Sequence, residues 1–460
     1  MTPPSSPPWE TLRPLLSPKA VLQSDPTYCL AYSYDNSRLH YRPEAVVLPS
    51  CEADVIATVR WCYQRQIPLT CRGHGTGTTG GAVAIHGGIV LSFEKMQRLD
   101  AIDSANRMVT VEPGVTNQAL QQAAAADGFF WPPDPTSAAV CTIGGNLACN
   151  AAGPRAVKYG TPRDNSLALR AVTGTGELIT TGSKTTKGVV GYDLTRLLIG
   201  SEGTLAVITE ATLKLHPLPQ ARQLMQISFA SPEAAAEAVA AIMAQPLIPY
   251  SLEFIDQQAI EMIRDYSRAD LPSQAAAILL VEVEGSPATL SDAVLTIEQA
   301  VRASQPLEVK KAATAVEAEA IWRTRKALSP ALRKVAPKKI NEDIVVPVSQ
   351  IPTLLRQLTT MQQRHGIKIV TFGHAGNGNL HVNLLIDPDD PAQRQAAKIA
   401  LNELFDLTLK LGGTLSGEHG IGLVKRDFVS REIPPATLAL MHAIKAQFDP
   451  AGILNPGKSI

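Results

Sequence analysis

The side chains best suited to chemistry cluster towards the C-terminal end of the chain. The run "IKIVTFGHAGNGNLHVNLLI", Ile367 to Ile386, reads as a strand, a tight turn at Asn377-Gly378 and a second strand, a combination that is among the strongest local hairpin signals. It sets His374 and His381 across from one another near the hairpin mouth. Farther on, "GGTLSGEHGIG" places Glu418 beside His419 between glycines, where small neighbours let a ligand come close. One carboxylate with two imidazoles suits a first-row divalent ion such as zinc, manganese or iron, with open positions for a substrate oxygen. The plainer alternative is that the two histidines are ordinary polar residues at strand ends.

A second candidate lies on the helix "AIWRTRKALSPALRK". Trp322, Arg325 and Ser329 fall at i, i+3 and i+7 and share one face, and an arginine fork there matches a carboxylate in two bonds. The same basic residues also fit a solvated helix face. A third candidate is "CRGHGTGTTGG", Cys71 to Gly81, which contains G-x-G-x-x-G from Gly75 with Glu94 downstream. A dinucleotide fold needs a helix directly after those glycines. "AVAIHGGIVLSF" instead leads through Gly87 and Gly88 into a strand, which argues against NAD. The loop can still turn several backbone N–H groups around a diphosphate, unless it is merely a flexible glycine-rich connection.

The elements that must position these residues follow an α+β pattern. Short β-type runs ("AVVLPS", "IPLTCRG", "GGIVLSF", "MVTVEPG") alternate with helices over Ala53–Gln66 and Asn117–Asp127, and "SLALRAVTGTGELITTG" reads as a hairpin. Beyond Pro217–Pro219 a second layered domain begins: "LMQISFAS", "PEAAAEAVAAIMAQ", "YSLEFID", "AAAILLVEVEG", "ATLSDAVLTIEQAVRAS" and "LEVKKAA" alternate strand and helix. Lys plus Arg equals Asp plus Glu at 42 each, so no overall field recruits nucleic acid. The six cysteines contain no C-x-x-C pair, which argues against iron–sulfur and zinc-ribbon modules. The proline- and serine-rich start reads as a loose terminus rather than a signal peptide, and the expected location is cytoplasmic, compatible with peripheral attachment to the inner face of the membrane.

Four ordered motifs, "RGHGTGTTGG", "PPDPTSAAVCTIGGNLACNAAG", "YDLTRLLIGSEGTLAVITEATLKL" and "FDPAGILNPGK", together resemble the flavoproteins of vanillyl-alcohol oxidase and p-cresol methylhydroxylase type. The likeness is to the branch with FAD-linked D-lactate dehydrogenase and the glycolate oxidase flavin subunit, and it covers nearly the whole chain from about Tyr41. It implies a two-part FAD-binding domain over residues 1–218, joined by a tail over 415–460, and an α/β cap domain with an antiparallel sheet over 219–414. By that resemblance Arg72, Gly73, His74, Gly75, Thr76, Gly77 and Thr78 hold the FAD pyrophosphate. Asp134, Thr136, Ser137, Thr142, Gly144, Gly145 and Asn146 line the flavin and its ribityl chain, with Gly203 and Ile208 nearby and Asn455 closing the site against cofactor and substrate. Some relatives attach FAD through a histidine where this chain has Thr76, so non-covalent FAD is expected. His74 stands where glycine is usual and has no assigned role beyond that of a loop residue with its ring in solvent.

The resemblance further implies His374, His381 and Glu418 as metal ligands, His419 as base, and Arg325 as the binder of the substrate carboxylate, with Ser329 beside it. Asn377 replaces the family's usual aspartate, and Asn341 stands where relatives acting on dicarboxylates have lysine. The implied reaction oxidises a D-2-hydroxy acid: the metal lowers the hydroxyl pKa, His419 takes the proton and the C2 hydride passes to flavin N5. Histidine suits this because its ordinary pKa is about 6.5. D-lactate leads as substrate, then glycolate, then D-2-hydroxyglutarate. With no internal electron wire, a quinone, cytochrome, electron-transfer protein or oxygen must reoxidise the flavin. A homodimer, partner subunits, as in a multi-subunit glycolate oxidase, and a non-catalytic flavin scaffold are the other readings.

Overall fold

The computed structural model describes residues 9–267 and 272–460; the start read as a loose terminus falls at residues 1–8, outside the described residues. The chain divides into two compact units. One comprises Met1–Ala152, Gly160–Leu218 and Glu418–Ile460, and the other Gly153–Tyr159 and Pro219–Gly417. Among the described residues no helix is long and apolar enough to cross a membrane. All six cysteines are free thiols.

The first unit holds two four-stranded sheets. Strands β1 (Val21–Gln23), β2 (Ala45–Leu48), β3 (Leu69–Arg72) and β4 (Ile89–Ser92) line up as β1-β2-β4-β3, with β2 and β3 parallel to β4 and β1 antiparallel to β2. No helix lies between β3 and β4, so the glycine loop returns directly to the sheet. Of β5 (Met108–Val111), β6 (Phe129–Phe130), β7 (Ser166–Thr173), β8 (Leu178–Gly182), β9 (Ala206–Lys214) and β10 (His216–Pro217), four form an antiparallel sheet ordered β5-β9-β7-β8, while β6 pairs with β10.

Helix Glu52–Arg65 ties the two sheets together. Its first turn carries Glu52 and Asp54, which suit a helix N-terminus, and it stops at Gln66 in the left-handed region (φ 53°). Val55, Val59 and Cys62 recur at helical spacing and pack with Val47, Leu69 and Leu91 of the first sheet and Val172 and Val207 of the second. Glu52 also takes two bonds from Arg170 of β7, at 2.7 and 3.0 Å.

The second unit is built on one antiparallel sheet of seven strands, β11 (Ala221–Phe229), β12 (Ser251–Asp256), β13 (Ala277–Gly285), β14 (Glu308–Lys311), β15 (Lys338–Val345), β16 (Lys368–His374) and β17 (Asn379–Ile386). Their order is β14-β11-β13-β12-β16-β17-β15. Helices Gln257–Ser267 and Ala315–Val335 cover one face, where Leu224, Ile255, Ile278, Leu280, Val370, Phe372 and Leu385 meet Ala259, Ile260, Leu328 and Leu332. The strand period of two puts Glu253 on this face with Ile255, His374 with Phe372, and His381 opposite Phe372. Apolar packing therefore sets the register that gathers these polar side chains.

The C-terminal tail completes the first sheet. β3 is an edge strand, and Leu454 lies parallel to Leu69, with Leu69 N–H donating to Ile453 O and Asn455 N–H to Leu69 O, both at 2.8 Å. Such cover removes an open edge. The turn before it is held by Asp449, 2% exposed, whose carboxylate accepts from Ile453 N–H (3.1 Å), Leu454 N–H (2.8 Å) and Lys445 Nζ. Asp449→Ala leaves two amides and a partly buried ammonium without this acceptor, so it should destabilise the fold by about 3 kcal/mol. Asp449→Asn should lose less. Chemical denaturation checks this, and an unchanged midpoint for Asp449→Ala would show that the tail is held by other contacts.

Candidate functional site

Each unit brings together one constellation of the residues singled out above. In the first unit the loop after β3 presents an unusual stretch of backbone. Among the described residues, the amide N–H groups of Gly73, His74, Gly75, Thr76, Gly77 and Thr78 find no acceptor within the protein. A Cβ on Gly77 would meet nothing within 4 Å, so the loop tip is open. Six successive donors without protein acceptors fit a diphosphate, which needs donors and no intruding side chains. Arg72 lies beneath the loop instead of lining it: its Nη1 donates to Tyr34 O at 2.7 Å, and a Cβ on Gly75 would strike its guanidinium.

The second flavin motif behaves differently. Thr142 caps helix Ile143–Cys149, and its Oγ1 accepts from Gly145 N–H at 3.3 Å. Ile143 N–H donates to Val115 O, Gly144 N–H to Pro113 O and Asn146 N–H to Thr142 O, so the helix start keeps none of these donors for a ligand. Gly73 approaches so closely that a side chain there would collide with Thr142 Oγ1, which joins the two motifs. Asn146 is buried in a network with Asn117 Nδ2 (3.1 Å) and Cys141 Sγ (3.3 Å). Asp134 N–H is bonded to Ala152 O, and Thr136 and Ser137 are exposed on the turn that follows. His74 is more than a loop residue in solvent: its Nδ1 lies 2.7 Å from Val140 O, so Nδ1 carries the proton and the ring links the two loops.

Gly203 has φ 69°, and a Cβ there would stand 3.1 Å from Asn455 Nδ2; Ile208 is buried in the core of the second sheet. Asn455 acts as a staple. Its Oδ1 accepts from Cys71 N–H at 3.0 Å and its Nδ2 donates to Glu202 O at 2.5 Å, which ties the tail to the strand entering the glycine loop. Glu202 was not singled out by sequence. It is 6% exposed and accepts from Ile421 N–H and Gly422 N–H, each at 2.8 Å, and burial pushes its pKa up while those amides pull it down. Thr79 Oγ1 donates to His419 O at 3.2 Å, and Thr79 O accepts from Leu423 N–H at 2.8 Å. The Glu418–Gly422 loop is thus fixed on both sides of His419 within the first unit.

In the second unit the imidazoles of His374 and His381 stand 5.3 Å apart, nearly perpendicular, and both are buried. Behind His374 is Glu253, 1% exposed, in the middle of "YSLEFID". Its Oε1 lies 2.5 Å from His374 Nδ1, and its Oε2 accepts from Arg325 Nε (2.8 Å) and Nη2 (2.7 Å). Burial alone raises the Glu253 pKa, but the His374 and Arg325 charges and their hydrogen bonds outweigh it and hold the pKa at about 2. With Nδ1 on a carboxylate, the orientation of the His374 ring is fixed from behind. Behind His381 is Asp343, its direct neighbour in register, with Oδ1 3.7 Å from Nδ1. Asp343 also accepts from Asn379 Nδ2 (2.6 Å), Ser416 Oγ (3.2 Å) and Gly417 N–H (2.9 Å). The peptide that leads into Glu418 is therefore held beside the second histidine.

Arg325 is 7% exposed and lies 4.8 Å over the Phe372 ring, which leaves its Nη1–Nη2 edge for a second carboxylate. Trp322 packs at the edge of the same cluster, and Arg323 is exposed. The Ser329 side chain lies outside the described residues. Asn341 faces Asn383 across β15 and β17.

Comparison with known proteins places this arrangement. Residues 43–182 match the FAD binding domain model, and residues 218–459 match the model described as FAD linked oxidases, C-terminal domain. The chain is 38% identical over 430 residues to "Glycolate oxidase subunit GlcD" of Bacillus subtilis (strain 168), covering 93% of this chain and 92% of that one. It is 37% identical over 439 residues to "D-lactate dehydrogenase" of Archaeoglobus fulgidus, covering 94% and 95%. The crystal structure of p-cresol methylhydroxylase with substrate bound shares the fold, with a TM-score of 0.82 at 17% identity over 98% of this chain and 95% of that one. The two family models together cover most of the chain, the relatives match it over nearly their full length, and the chain belongs to the FAD linked oxidases.

Proposed function

We propose that the protein oxidises a D-2-hydroxy acid to the 2-keto acid, D-lactate before glycolate and glycolate before D-2-hydroxyglutarate. The observation that carries this reading is Glu253. Its two oxygens hold an imidazole on one side and a guanidinium on the other. That spacing suits a small ligand with a hydroxyl and a carboxylate on adjacent carbons, the hydroxyl towards His374 and the carboxylate on Arg325. The similarity to proteins named D-lactate dehydrogenase and glycolate oxidase subunit supports the same substrate class.

The loop Gly73–Thr78 binds the FAD diphosphate without a covalent bond, since Thr76 offers no imidazole for attachment. His374 and His381, joined by Glu418 one residue beyond the anchored Gly417, hold a divalent metal such as zinc, manganese or iron. When bound, the metal acidifies the substrate hydroxyl and FAD accepts the hydride from C2. His419 takes the hydroxyl proton. Arg325 orients the carboxylate, and its own orientation is set by Glu253 and Phe372. The sheet and helices behind these groups exclude water from them, since Glu253, His374 and His381 are all buried.

A second reading is that the chain is the flavin subunit of a multi-subunit glycolate oxidase, favoured by relatives so named that it matches over nearly their full length. The physiological acceptor then belongs to a partner, and peripheral attachment to the inner membrane face would serve a quinone. Anaerobic mixing of the yellow protein with D-lactate, L-lactate, glycolate and D-2-hydroxyglutarate separates these readings. D-lactate should bleach the flavin fastest, and the subunit reading predicts bleaching by glycolate without sustained turnover. No bleaching by any of the four would remove the dehydrogenase reading.

His419→Ala should keep the yellow colour and slow bleaching about 10²- to 10⁴-fold, the usual span for loss of a general base. Bleaching at the parent rate would show that another group takes the proton. For the metal, His374→Ala should lose the ion on dialysis, read by elemental analysis. Glu253→Gln should weaken its retention about 10- to 100-fold, because the amide no longer fixes the His374 tautomer. Full metal content in both variants would place the ion elsewhere.

A further inference from the structure

Glu202 occupies a position that a glutamate avoids on two counts. It is 6% exposed, and its φ of 52° lies in the left-handed region, where a non-glycine residue is strained. Every polar group of this residue is nevertheless engaged. Its N–H donates to Ala148 O (2.8 Å) in the helix Ile143–Cys149 of the second flavin motif, and its O accepts from Asn455 Nδ2. Its carboxylate places one oxygen on Ile421 N–H and the other on Gly422 N–H. Gly420, φ 80°, passes so close that a Cβ would stand 3.0 Å from the Glu202 carboxyl carbon.

We infer that Glu202 is the positioning residue for His419: its carboxylate fixes the Glu418–Gly422 loop so that the base keeps one station relative to the flavin cradle. The links run from Cys71 N–H, next to the cradle loop, to Asn455 Oδ1, from Asn455 Nδ2 to Glu202 O, and from the Glu202 carboxylate to Ile421 and Gly422. Thr79, at the other end of the cradle loop, holds the His419 carbonyl. Only a carboxylate has two acceptors for the two amides. A glutamine keeps the volume but turns an N–H₂ donor towards an N–H donor, which releases one end of the loop. A loop freed by about 1 Å is enough to cost of the order of 100-fold in a proton transfer that depends on alignment.

This role rests on the reading of His419 as the base, so the test includes both residues. Flavin reduction by D-lactate is followed anaerobically, by rapid mixing across pH, in the parent, His419→Ala and Glu202→Gln. Glu202→Gln is expected to hold FAD with an unshifted spectrum and to be reduced normally by dithionite. Its limiting rate with D-lactate should fall about 10- to 100-fold at an unchanged half-saturating concentration, with the acidic limb of the pH profile displaced. Parent-like rates and an unchanged profile in Glu202→Gln, beside a slow His419→Ala, overturn the positioning role alone. A His419→Ala enzyme as fast as the parent overturns the base assignment itself. Should Glu202→Gln fail to retain flavin, Thr79→Val decides, because it removes only the hydroxyl bond to the His419 carbonyl: a slowed, pH-shifted reduction supports the loop's role, and a parent-like one overturns it.

Discussion

An ionised carboxylate inside a β-sheet is costly unless its charge is matched on the spot, and Glu253 meets that condition with an imidazole on one oxygen and a guanidinium on the other. The dependence runs both ways. Without Glu253, Arg325 would be a buried cation with nothing to set its plane, and His374 would lose the bond that fixes its tautomer. Without Arg325, burial would drive the Glu253 proton back on. The surrounding apolar core, with Phe372 under the guanidinium, makes the cluster rigid and its misassembly expensive. Asp343 repeats the device one strand pair away, behind His381, with three further donors to satisfy it.

The first unit follows the opposite rule in its glycine loop. Its helix starts and tail spend many of their backbone donors internally, as buried amides must. From Gly73 to Thr78, among the described residues, six successive donors remain without protein acceptors. Glycine alone would not produce that. The loop is kept off neighbouring acceptors because it is pinned underneath by Arg72, at its start by the Gly73–Thr142 approach, at the side by His74 on Val140 O, and at its end by Thr79.

Much of this was legible in the sequence because it rests on local rules. The strand–turn–strand around Asn377-Gly378, the helix over Glu52–Arg65 and the absence of a helix after the glycines follow from period, turn chemistry and breakers, and His374 and His381 do meet. The carboxylates were not legible. Glu253, Asp343 and Glu202 lie 121, 38 and 217 residues from His374, His381 and His419 in the chain, and no spacing rule spans such distances. Their one local sign is a charge inside an apolar run, as in "YSLEFID", where an alternating strand would otherwise bury it without a partner. Arg325 was legible as a carboxylate binder, yet its first carboxylate turns out to belong to the protein. Gly144 and Asn146 sit in a flavin motif but are committed to Pro113 and to Asn117 and Cys141. A motif records which residues recur together, and packing decides what each atom is free to do.

The short stretch from Gly417 to Ile421 brings these two designs onto one piece of backbone. Gly417 N–H is held by Asp343 in the unit with the paired histidines, and Ile421 N–H by Glu202 in the unit with the flavin cradle. Only Glu418, His419 and Gly420 separate the two anchored amides. The glycines that follow take the left-handed dihedrals, Gly420 at φ 80° and Gly422 at φ 52°, leaving Glu418 and His419 outside that region. Asp343 and Glu202, the buried carboxylates at the two ends of this stretch, hold its anchored amides, so a substitution that moves either carboxylate also moves the backbone of Glu418 and His419.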